Sequence, residues 1–90
     1  MKTRTILKMY ETIKNKILEN EEITTSTKRT LTNANSVKEF VQKMRTIQEH
    51  HTPLTPEEWT TFMSMNYKMK ETLLILLNKC QKIENNGEKT

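Results

Sequence analysis

Ninety residues with one Gly, two Pro and a single Cys make one domain, argue against a β-fold and exclude a disulfide framework within the chain. The longest apolar run, Leu73–Leu77, is far too short to cross a bilayer. The net charge of +4 is uneven, because residues 1–45 carry ten Lys and Arg against five Glu while residues 46–90 come to −1.

That asymmetry points to an anionic partner for the first half, or to a solvated basic surface. A lone Cys fits a reducing, intracellular and cytoplasmic setting. A chain this small buries only about 60% of its unfolded surface, so self-association would help it.

The first helix is predicted over Thr3–Glu19. Ile6, Met9, Tyr10, Ile13 and Ile17 recur on one face and make its apolar stripe. The following stretch, Glu19–Thr27, is acidic and then β-branched and hydroxyl-rich, which suits caps and turns.

A second helix follows with two alternative starts. Leu31 and Ala34 continue the stripe of Val37, Val41 and Met44, which carries the helix back to Thr27. Alternatively it begins at Ser36, with Glu39 three residues on in capping-box spacing. Val37, Phe40, Val41, Met44 and Ile47 face inward in either version. His50 to Leu54 is a short link, with Pro53 disfavouring helix at Thr52, so helices two and three are antiparallel neighbours.

The third helix starts at Thr55-Pro56-Glu57-Glu58. Thr55 caps, Pro56 suits the first helical position and Glu58 reaches back to the cap. Beyond it Trp59, Phe62, Asn66, Met69, Leu73, Leu76, Cys80 and Ile83 alternate three and four apart, the seam of a packed long helix. Its apolar arc spans roughly 200°, wider than one neighbour covers. The expected fold is therefore all-α: a three-helix bundle over residues 1–86 with a long C-terminal helix, paired as an antiparallel helical homodimer. Asn85-Asn86-Gly87 is the expected stop, with 87–90 a disordered tail.

No constellation implies catalysis. His50-His51 sit on a turn far from Cys80, without a carboxylate set to complete a metal site. Cys80 lies in the seam, as a small buried hydrophobe does. Glu57 and Glu58 favour the helix dipole and cap. The expectation is a non-enzymatic protein without cofactor or metal.

Two binding surfaces remain. Lys28, Arg29, Lys38, Lys43 and Arg45, interspersed with Thr and Asn, match the mixture that contacts phosphate backbones, so non-sequence-specific binding of duplex DNA or RNA is the first function expected. The alternative is a helical adaptor or inhibitor that binds a protein through the Met/aromatic surface of the long helix. Its interface residues are Trp59, Met63, Tyr67, Leu73 and Leu77.

Overall fold

A computed structural model describes the backbone of residues 3–89 and the side chains of residues 4–80. The chain is all helical over this range. Helix α1 spans Thr3–Leu18, α2 Thr25–Thr32, α3 Val37–His51, α4 Pro56–Ser64 and α5 Tyr67–Lys89. Helix α5 continues through the expected stop at Asn85-Asn86-Gly87 to Lys89, while the side chains of the expected tail 87–90 lie outside the described residues. A radius of gyration of 12.6 Å is close to the roughly 12 Å of a packed domain of this length.

Five described helices replace the three expected, and each extra break has a local cause. Thr24 caps α2, its side chain accepting from Thr27 N, and Ser36 caps α3 by accepting from Glu39 N. Helix thus begins at Thr25, two residues ahead of the expected Thr27, stops at Thr32, and begins again after the expected Ser36 cap, with the turn at Asn33–Ser36 between. Upstream, Asn20 Oδ1 accepts from Glu22 N at 2.8 Å and Ile23 N at 3.3 Å. That Asx turn folds the loop back and buries Ile23.

The second extra break divides the long helix. Met65 turns extended, with φ −63° and ψ 142°. Asn66 then acts as a new cap: its Oδ1 accepts from Met69 N at 2.9 Å and its carbonyl from Lys70 N at 3.1 Å. Asn66 was expected in the seam of a continuous helix. It is instead exposed at a corner, where a short amide side chain satisfies an orphan N–H.

The core gathers Tyr10, Ile13 and Ile17 of α1, Leu31 of α2, Phe40, Met44 and Ile47 of α3, Phe62 of α4, and Leu73 and Leu77 of α5. Helix α5 packs against α1, α2 and α3, and so forms the central element. Phe40 meets Phe62 edge to face at 5.9 Å between centroids. Leu54 is buried between α3 and α4, and the Gln48 amide clamps its backbone: Nε2 donates to Leu54 O at 2.7 Å, and Leu54 N donates to Oε1 at 3.1 Å.

Helix C-termini leave carbonyls without partners, and glycine in the left-handed conformation commonly ends them. Here the only described residue with positive φ is Thr52, at 47°. Side chains from later helices supply donors instead. Lys28 Nζ reaches Leu18 O at 2.6 Å, Lys43 Nζ reaches Thr30 O at 2.9 Å, and Asn78 Nδ2 reaches Thr32 O at 2.7 Å. Each bond also joins one helix to another.

Candidate functional site

The five cations expected to contact phosphate do not share one state. Lys28 is half-buried and directed at the end of α1. Lys43 is half-buried between the Thr30 carbonyl and Glu39, whose Oε1 lies 2.9 Å away. Hydrogen bonding from Lys43, then from Asn35 N–H, holds the Glu39 carboxyl below its ordinary range. Arg29 is exposed on α2. Of these five, Lys38 and Arg45 are exposed and make no hydrogen bond or ion pair among the described residues, seven positions apart along the outer face of α3 with Gln42 between them.

The Met/aromatic set divides as well. Leu73 and Leu77 are both 0% exposed. They form the core of this single chain and cannot serve at the same time as a surface for a partner, because the shorter α5 points its apolar ridge into the cradle of α1, α2 and α3. Trp59 and Met63 are half-buried on one flank of α4, and Tyr67, at 65% exposed, opens α5 just past the corner. The Trp59 ring stacks on buried Phe62, with centroids 5.4 Å apart and planes at 28°. Lys70 Nζ lies 5.8 Å from the centre of the Phe62 ring, within cation–π range, and points toward the Met63 carbonyl.

The opposite flank of α4 faces α1 across a cleft that sequence reading did not foresee. Its first part, about 320 Å³, has Met9 and Ile13 beside Thr5, Lys8, Thr12, Glu57, Glu58 and Thr61. A second part of about 290 Å³ shares Met9 and Thr61 and continues to Met65 and Met69. The hydroxyls of Thr12, Thr60, Thr61 and Ser64 each donate to the carbonyl four residues back in their own helix. Periodicity assigns residues to faces but does not say which faces meet, so no sequence signal could have located this cleft.

An ion pair bridges one end of the cleft. Lys16 Nζ lies 2.6 Å from Glu58 Oε1 and 2.7 Å from Oε2. The same carboxylate accepts from Thr55 N at 2.9 Å while Thr55 Oγ1 accepts from Glu58 N at 3.1 Å. Lys16, and after it the Thr55 N–H, hold the Glu58 carboxyl below its ordinary value. A reciprocal cap and a link between α1 and α4 thus meet in one residue.

Among the described residues, no group of three or more His, Cys, Asp or Glu is arranged to hold a metal. The His50 and His51 rings lie 6.5 Å apart at 60°, and Cys80 is half-buried and unbridged. No helix among them is long and apolar enough to cross a membrane. In comparison with known proteins, the chain matches no family model, no curated relative and no solved structure.

Proposed function

We propose that this chain is a non-enzymatic helical module that binds a protein partner through Trp59, Met63 and Tyr67 around the α4–α5 corner. The observation that carries this reading is an exposed Tyr67 at the start of α5 together with a half-buried Trp59 on α4 that buried Phe62 holds in place. Trp, Tyr and Met are enriched in interface cores, and a ring already fixed by packing loses little freedom on binding. The disposition of the cations favours it over nucleic acid, since two of the five act inside the fold. Leu73 and Leu77 are left out of this interface.

The test compares proteins retained by the wild-type chain, Trp59→Ala and Tyr67→Ala after nuclease treatment. A partner lost from both variants, with helical circular dichroism unchanged, supports the reading. The loss expected for an aromatic anchor is about tenfold or more in affinity. Equal retention by all three overturns it.

Duplex nucleic acid remains a second reading because Lys38, Gln42 and Arg45 are exposed along one face of α3. Replacing Lys38 and Arg45 together by Gln should weaken binding uniformly and flatten the salt slope by up to about two per chain. A purified sample whose absorbance ratio and light-scattering mass are unchanged by nuclease, and which binds neither labelled duplex DNA nor duplex RNA at low salt, removes this reading. A homodimer also stays a proposal, with an interface that must be compatible with Leu73 and Leu77 in the core.

A further inference from the structure

The apolar pattern and the backbone disagree at one place. Trp59, Phe62, Asn66, Met69, Leu73, Leu76 and Cys80 keep their three-four spacing straight through Met65 and Asn66, where the chain bends. No Gly or Pro stands between Pro56 and Gly87, so nothing intrinsic to the backbone forbids helix across the corner. Two residues stand outside helix at the corner, Met65 with ψ 142° and the capping Asn66. The bend is held by short-range polar bonds: Asn66 Oδ1 to Met69 N, Met65 N to Phe62 O at 3.1 Å, and Lys70 Nζ to Met63 O at 3.4 Å.

From this we infer that the corner is an exchange hinge, and that the partner it serves is a second copy of this chain. Opened at Met65–Asn66, α4 and α5 form a single helix, and α5 docks into the α1–α2–α3 cradle of the other copy. Leu73 and Leu77 then bury against the same kinds of neighbours, and Asn78 meets the partner copy's Thr32 carbonyl instead of its own. The core contacts of the two forms are the same, so the balance rests on the hinge and on the cost of bringing two copies together. At 100° per residue Met65 falls in the same apolar arc as Phe62, so straightening keeps it on the packed side. From Pro56 to Cys80 the joined helix is about 37 Å long, and two of them cross near their hinges in antiparallel sense.

The closed form has the advantage of proximity. A two-residue connection holds α5 at an effective concentration in the millimolar range, so exchange becomes appreciable only as protein approaches that level or as the hinge is biased. This inference gives the homodimer reading a mechanism; Trp59 and Met63 lie on one side of the hinge and Tyr67 on the other, so opening it also rearranges the aromatic surface.

Asn66→Leu removes the cap and completes the apolar seam. One lost cap shifts an equilibrium about fivefold, and a dimer contains two, so the dimerisation constant should rise roughly 25-fold. Light scattering across a concentration series reads this. The exchange itself is read on uniformly labelled and unlabelled Asn66→Leu chains unfolded and refolded together: an isotope-filtered spectrum should connect Asn78 of one chain to Thr32 of the other. Inserting Gly-Gly between Met65 and Asn66 should return the variant to monomer. A dimer without that inter-chain signal overturns exchange and leaves the homodimer reading standing. A variant that remains monomeric at about 1 mM overturns both. If Asn66→Leu loses its helical circular dichroism, the wild-type chain refolded at about 1 mM is read by the same spectrum, and purely intra-chain contacts overturn exchange.

Discussion

Two of the four junctions between the described helices, α3–α4 and α4–α5, are built differently. At the α3–α4 junction Pro53 blocks continuation, Gln48 clamps Leu54, and Thr55 and Glu58 cap each other reciprocally. At the α4–α5 junction there is no proline, and a single Asn caps one way. The first break is enforced by residues that no continuous helix accommodates. The second depends on a choice between two acceptable backbones, decided by a few polar bonds. Helix boundaries that look equivalent in coordinates can therefore differ in how firmly they are fixed.

The largest effect expected bears on what lies past the second junction. Leu73→Ala should cost about 2–5 kcal/mol, since the side chain is fully buried. The loss, measured by chemical denaturation at low micromolar protein, should not depend on concentration while α5 packs within its own chain. A loss that grows on dilution would move Leu73 into an inter-chain contact.

The two caps give the direct comparison. Thr55→Ala should cost about 0.5–2 kcal/mol, toward the upper end because Glu58 loses its reciprocal partner. Asn66→Ala should cost about 1 kcal/mol or less, because a one-way cap goes with no reciprocal bond. Equal losses in the denaturation midpoint would mean that both junctions are equally enforced.

Acid should weaken the first junction. The Glu58 carboxyl is held below its ordinary value of 4.5, mainly by Lys16 and then by the Thr55 N–H. A depressed folded value means that the unfolded chain takes up the proton first. The stabilisation is fully present above the ordinary value and is lost as pH falls through the lower, folded one. Wild type and Glu58→Gln should therefore differ at neutral pH and converge below the ordinary carboxylate range. Partial exposure of Lys16 and Glu58 keeps the difference small and sensitive to salt. A constant gap down to strong acid would assign the effect to shape and not charge.

The smallest effect concerns neither junction. Lys38→Gln with Arg45→Gln should leave stability within about 0.5 kcal/mol, whereas Lys28→Met should cost about 1 kcal/mol by leaving the Leu18 carbonyl short of a donor. Thermal unfolding of the two variants separates cations that hold helices together from those that only face solvent.

Much of the fold was legible in the sequence because it rests on local chemistry. The reciprocal cap at Thr55 and Glu58, the cap at Ser36, and the inward face of Phe40, Met44 and Ile47 all follow from spacing within one or two turns. The corner at Asn66 was not legible, because a seam position and a cap position differ only in the backbone around them. The five-cation surface was not legible either. A lysine intended for a carbonyl of another helix looks, in a sequence, like one intended for a phosphate. The exposed Tyr67 and half-buried Trp59 were named as interface residues alongside Leu73 and Leu77, but periodicity could not separate a ridge that packs inward from a flank that remains outside.

The back-bonded hydroxyls have a bearing on how the α1–α4 cleft is wetted. A mean hydropathy of −0.80 counts every threonine as a free alcohol. Thr12, Thr60 and Thr61 have already given their protons to their own helices, and their methyl groups are the chemistry left over. Beside Met9, Met65 and Met69, water there finds few donors to accept from and is held loosely. A surface that composition describes as hydrophilic therefore behaves, along this one cleft, more like an oily seam with charged ends.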